Sequence, residues 1–107
     1  MLHHRVSCRI RHALGKGVKK GRVFDYLSYT PGELRLHIEK LWEPWMNWDN
    51  YGGLANDKRK TWHLDHVKPH SLFPYTSMKD DFFRECWSLS NLRPLEKIAN
   101  IIKSDNY

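Results

Sequence analysis

Cysteine is scarce in this chain: two residues in 107, Cys8 and Cys86, far apart in sequence. They are too few for a zinc site of four cysteines, or of two cysteines and two histidines with the usual close pairs, and they suggest no disulfide framework. Long apolar runs are missing as well. No hydrophobic stretch follows Met1 as a secretory leader would require, and none reaches the length of a membrane span. Export and insertion are therefore disfavoured, and a reducing cytoplasm is the expected setting. Acidic residues are absent from the N-terminal part, where the first is Asp25.

What is present is basic charge and aromatic bulk. Eighteen Lys and Arg face 12 Asp and Glu, a formal +6 that favours a polyanionic partner. Arg5, Arg9, Arg11, Lys16, Lys19, Lys20 and Arg22 crowd into residues 1–22. Such a segment is either a solvated tail or an arm that contacts phosphates and releases counterions. It lacks the strong apolar face of a membrane-surface helix. Five Trp, five Tyr and four Phe supply the core that a disordered chain would lack, and the length suits one compact domain.

Residues 3–14 read as a basic helix, with Val6, Ile10 and Leu14 recurring every four positions. Gly15, Gly17 and Gly21 among lysines then form a connector. This divides the chain into a basic unit, 1–22, and a main domain, 23–107. A second helix is signalled by Thr30 as N-cap, Pro31 at the first position and Glu33 completing a capping box. Leu34, Ile38, Leu41 and Trp42 should face the core, and Pro44 and residues 50–53 end the helix in a loop. Residues 62–67 read as a strand and residues 92–95 as another, with Pro94 implying an edge position. Between them, Ser77 and Asp80 are placed to cap a short helix running to Trp87. From Glu96 the pattern is helical: Ile98, Ile101 and Ile102 share an apolar face, and Glu96, Asn100 and Lys103 the opposite polar one.

The order strand, loop, strand, helix frames the residues capable of chemistry. In Trp62-His63-Leu64-Asp65-His66 a carboxylate adjoins an imidazole whose ordinary pKa leaves it neutral and basic near pH 7. Adjacent Asp and His are common, and strict alternation sends the two side chains to opposite faces of a strand. One site can use both only where the strand twists or ends.

Asp65-His66 with Pro69, then Asn91-Leu92-Arg93-Pro94-Leu95, then Asn100 and Lys103-Ser104-Asp105, resembles the HNH endonuclease family over nearly all of residues 62–105. Tyr29-Thr30-Pro31-Gly32-Glu33-Leu34 and Trp48-Asp49-Asn50-Tyr51-Gly52 look more loosely like the N-terminal part of phage-encoded members. The resemblance implies an α+β fold, a ββα-metal (His-Me) finger with additional N-terminal helices. It implies His66 as general base, Asp65 and Asn100 as ligands of one divalent metal, and Asn91 as the residue steadying the loop. It places Lys103 near a phosphate. Many members have histidine where Asn100 stands, and the CxxC pairs of zinc-stabilised relatives are missing, so no structural zinc is expected.

Carboxylate and amide oxygens are hard ligands, which suit Mg2+ or Mn2+. His63 is either a packing residue or a hydrogen-bond partner orienting Asp65, and His70 a loop residue. Arg84 and Arg93 are either additions to a basic surface near the site or solvated side chains. Trp42, Trp45 and Trp48 are either core residues or a platform for stacked bases. The expectation is a metal-dependent DNA endonuclease, nicking as a monomer, in the cytoplasm of a host if the source is a phage. The alternative is a DNA-binding accessory module of phage packaging with weak or lost cleavage. Homing and packaging partners fit equally, RNA as substrate stays open, and the sequence leaves the oligomeric state undetermined.

Overall fold

The structure is a computed structural model that describes residues 2–16, 22–52 and 58–105. Among these lie four α-helices and a two-stranded antiparallel sheet, an α+β arrangement. Helix α1 spans Leu2–Lys16, α2 Pro31–Leu41, α3 Asp81–Cys86 and α4 Lys97–Asp105. Strand β1 is Trp62–His66 and β2 is Leu92–Glu96. Single 3-10 turns at Arg22–Tyr26, Trp48–Asn50, His70–Leu72 and Leu89–Asn91 join them. Among the described residues no helix is long and apolar enough to cross a membrane.

Helix α2 starts as its sequence dictates. The Thr30 hydroxyl accepts from the Glu33 N–H at 3.1 Å, and the Glu33 carboxylate accepts from the Thr30 N–H at 2.9 Å. A reciprocal cap of this kind satisfies two otherwise orphaned donors and contributes about 1 kcal/mol. Leu34 and Ile38 are fully buried, whereas Leu41, expected in the core, is 47% exposed. It closes the last turn, after which the chain leaves the helix at Trp42.

Helix α1 is not a separable arm. Val6, Ile10, Ala13 and Leu14 are buried in the same core as Leu34, Trp62 and Leu92. The connector residues 17–21, with Lys19 and Lys20, lie outside the described residues. Gly15 marks a close approach, because a Cβ there would stand 3.0 Å from the Tyr51 ring.

The tryptophans serve as packing. Trp42, Trp48 and Trp62 meet pairwise at centroid separations of 5.1 to 6.0 Å, with Tyr51 against Trp62 at 4.5 Å. Arg35 lies over the Trp48 face at 3.8 Å and Lys60 over the Trp45 face at 4.4 Å. This cluster leans on β1, and the segment before the strand is stitched to it. The Gly52 N–H donates to the Trp62 carbonyl at 2.8 Å, and the Trp62 indole donates to the Asn47 carbonyl at 2.8 Å.

In the sheet, Trp62 pairs with Glu96, Leu64 with Pro94, Asp65 with Arg93 and His66 with Leu92. Pro94 is tolerated because β2, among the described residues, pairs with a strand on one side only. Helix α4 follows β2 without a loop, and the Lys97 N–H donates to the Thr61 carbonyl at 2.9 Å. The helix is thereby folded back along the strands. Its isoleucines point outward: Ile98, Ile101 and Ile102 are 51%, 38% and 58% exposed. The polar face carrying Lys103 turns toward the sheet instead.

Candidate functional site

Strand alternation separates the two residues at the end of β1. His66 follows Trp62 and Leu64 to the core side, where its ring meets Trp87 edge-on with centroids 4.3 Å apart. Trp87 is anchored in turn. Its carbonyl accepts from the Tyr29 hydroxyl at 2.5 Å, and its indole donates to the Tyr75 hydroxyl at 3.1 Å. Burial raises the pKa of Tyr29, so this phenol stays a neutral donor. His66 is only 7% exposed.

Asp65, 6% exposed, leaves the strand on the other side and meets positive charge from two further elements. Arg93, its register partner on β2, donates from Nε to Oδ2 at 2.9 Å. Lys103 on α4 donates from Nζ to Oδ1 at 3.0 Å and to Oδ2 at 2.9 Å. The same ammonium donates to the main-chain carbonyl of His66. Lys103 thus ties the acid and the backbone of the neighbouring imidazole residue to one helix.

A third cation stands behind the strand. Arg11 donates from its guanidinium to the Leu64 carbonyl at 2.6 Å and from Nε to the Ser7 hydroxyl at 2.8 Å. Burial lowers its pKa, while Tyr51 and Asp65 act in the opposite direction. Arg11 is thus a half-buried brace of β1, with its guanidinium engaged within the fold. Arg5 and Arg9 are exposed on the outer face of α1 and keep the capacity to meet an anion. The side chains of Lys16 and Arg22, like all of Lys19 and Lys20, lie outside the described residues.

Asn91 secures the backbone just beyond His66. Its Oδ1 accepts from the Lys68 N–H at 2.8 Å, and its Nδ2 donates to the Lys68 carbonyl at 3.2 Å and to the Cys86 carbonyl at 2.9 Å. The Val67 N–H donates to the Asn91 carbonyl at 2.8 Å. One amide thereby ties the end of β1, helix α3 and the start of β2 together. Beside it opens a cavity of about 450 Å³ lined by Lys68, Phe73, Arg84, Ser88 and Asn91 among others.

Asn100 is half-buried on α4, one turn before Lys103 and on the same side of the helix. Among the described residues no hydrogen bond joins it to Asp65. His63 lies on the Asp65 side of β1, and its Nε2 is 2.9 Å from the Gly52 carbonyl, so it braces the preceding loop rather than the carboxylate. Arg84 pairs with Asp81 at the surface.

Two contributors have no signal in the local sequence pattern. The Arg93 contact follows from antiparallel register, which places it directly opposite Asp65, so pairing the two strands residue by residue would have found it. The Trp87 contact with His66 depends on where α3 ends, and nothing near either residue in the chain announces it.

Hard oxygen donors at Asp65 and Asn100 are compatible with a divalent metal of the Mg2+ or Mn2+ type. Among the described residues no group of three or more His, Cys, Asp or Glu gathers to hold an ion. A metal here would rest on one carboxylate, with an amide, waters and a substrate phosphate completing its shell, an arrangement common for Mg2+.

An uncharacterized protein of Acanthamoeba polyphaga mimivirus is 33% identical over 108 residues, which cover 97% of this chain and 44% of that protein. The chain spans less than half the length of this relative. No family model matches the sequence, and no solved structure matches it.

Proposed function

We propose that this chain is a metal-dependent nuclease of the HNH type that hydrolyses DNA phosphodiester bonds on a ββα finger built from β1, β2 and α4. The observation that carries the reading is the gathering of Asp65, Arg93 and Lys103, from three separate elements, around the strand end that bears His66. A buried carboxylate set among cations, one residue from a histidine, combines a ligand for a hard cation with donors for a phosphate.

In this reading His66, the last residue of β1 and so able to serve the Asp65 site across the strand end, is backed by Trp87 and the Asn91 clamp and takes a proton from the attacking water. The water oxygen bonds to phosphorus as the P–O3′ bond breaks. The departing oxygen takes up a proton, leaving 5′-phosphate and 3′-hydroxyl ends, as in the family resembled. Arg93 and Lys103 neutralise the phosphate oxygens. When bound at Asp65 and Asn100, a divalent cation would supply charge stabilisation and help the leaving oxygen.

Supercoiled plasmid incubated with Mg2+, Mn2+ or chelator tests the reading. Wild type should nick in the presence of metal only, and His66→Ala should bind DNA without nicking it. Intact plasmid under every metal, with the protein folded, would refute the proposal. A second reading, a DNA-binding accessory module, draws on the ion pairs that already satisfy Asp65. It is favoured if His66→Ala alters binding while no form of the protein cleaves.

A further inference from the structure

The Asp65 carboxylate is already answered by positive charge. Lys103 directs its ammonium to both carboxylate oxygens and to the His66 carbonyl. Arg93 holds Oδ2 from the side, and Arg11 acts on the same carboxylate electrostatically from behind β1. Among the described residues the carboxylate thus meets the Lys103 ammonium and the Arg93 guanidinium directly, with the Asp65 side chain 7%, the Lys103 side chain 18% and the Arg93 side chain 40% exposed. Charges this sheltered are weakly screened by water.

A bare divalent ion approaching Asp65 finds both carboxylate oxygens in use by cations already bonded to them. A phosphodiester changes that condition. It brings negative charge, and its oxygens accept the ammonium and guanidinium that now hold Asp65. Lys103 sits at the end of a long flexible side chain and can swing to a phosphate without moving the helix.

We propose that Lys103 is a displaceable stand-in for the metal: it holds the cation's place on Asp65 until a phosphodiester draws it off, so metal and nucleic acid bind with positive coupling. This rests on the metal-dependent reading given above. Coupling between two ligands is reciprocal, so the duplex must tighten metal binding by the same factor as metal tightens duplex binding. The arrangement would also keep the free protein largely metal-free.

The test uses full-length protein carrying His66→Ala, so that no turnover intervenes. Mn2+ affinity is measured by electron paramagnetic resonance with and without a saturating short DNA duplex, and duplex affinity with and without Mn2+. Expected is Mn2+ binding about ten-fold or more tighter with duplex, matched by an equal gain in duplex affinity. Adding Lys103→Met should tighten Mn2+ binding to the free protein and shrink the coupling. Asp65-dependent Mn2+ binding that is equally strong with and without duplex would overturn the stand-in role and leave the nuclease reading intact. Duplex binding with no Asp65-dependent Mn2+ binding in any arm would refute the metal site itself, and this proposal with it. Should Lys103→Met fail to fold, the coupling measured with Lys103 in place decides the matter.

Discussion

Asn91 grips both backbone polar groups of Lys68 with a single side-chain amide, accepting from the N–H at 2.8 Å and donating to the carbonyl at 3.2 Å. Residues 23 positions apart are thereby locked as one unit, and the chain leaving His66 has one course available. The same amide reaches Cys86 at the end of α3.

Asn91→Asp separates the two halves of that grip. The acceptor for the Lys68 N–H survives, but both donated bonds are lost and a charge is placed at a buried position. Stability should fall by about 1–3 kcal/mol for the unsatisfied carbonyls, more if the acid stays ionised. Denaturant unfolding checks this. Plasmid nicking should fall further than the folded fraction does, because the His66 ring loses its fixed setting.

The basic residues of α1 should divide into two behaviours. Replacing exposed Arg5 and Arg9 with Gln should leave the melting temperature nearly unchanged. It should reduce the slope of log affinity against log salt by about 1 for each phosphate that is no longer neutralised. Arg11→Ala should instead lower the melting temperature, since it strips the Leu64 carbonyl of its partner beside β1. Equal effects of the three on the salt slope would contradict the brace assigned to Arg11.

Alkaline pH should weaken the fold. Burial pushes Cys86 up to about 12 from 9.0 and Tyr51 up to about 12 from 10.0, and raises Tyr29 further. All three stay protonated in the folded protein when the unfolded chain has begun to lose these protons. Above about pH 9 the unfolded state binds fewer protons than the folded one, so stability falls with rising pH until the folded groups ionise near 12. Melting temperatures measured from about pH 8 to 11 should decline steadily, and Cys86→Ala should remove the earliest part of the decline.

The two thiols report on folding directly. Cys8 is exposed and Cys86 buried, and neither is in a disulfide. A thiol reagent near pH 8 should label one cysteine per folded chain and the second only on unfolding. Prompt labelling of both would show α3 and the Asn91 clamp to be open in solution.

Much of the architecture was readable from local chemistry. The Thr30, Pro31 and Glu33 cap, the four-residue recurrence of Val6, Ile10 and Leu14, and the two short strands with a helix directly after the second are all set by neighbours along the chain. Near-range rules suffice where an element's own residues satisfy its hydrogen bonds and define its stripe. The placement of Asp65 next to His66, and of both at a strand end, was visible for the same reason.

Orientation was not. Periodicity shows that α4 has an apolar and a polar face but not which one is covered, and here Ile98, Ile101 and Ile102 remain exposed while Lys103 turns inward. A buried carboxylate at Asp65 requires opposite charge, and that requirement is met from another strand and a helix. Arg11 likewise reads as one member of a basic run, yet α1 packs on the core so that this arginine reaches the Leu64 carbonyl 53 positions away. Side chains whose partners lie on distant elements acquire their roles from packing, because only the assembled core fixes which charges are sheltered together.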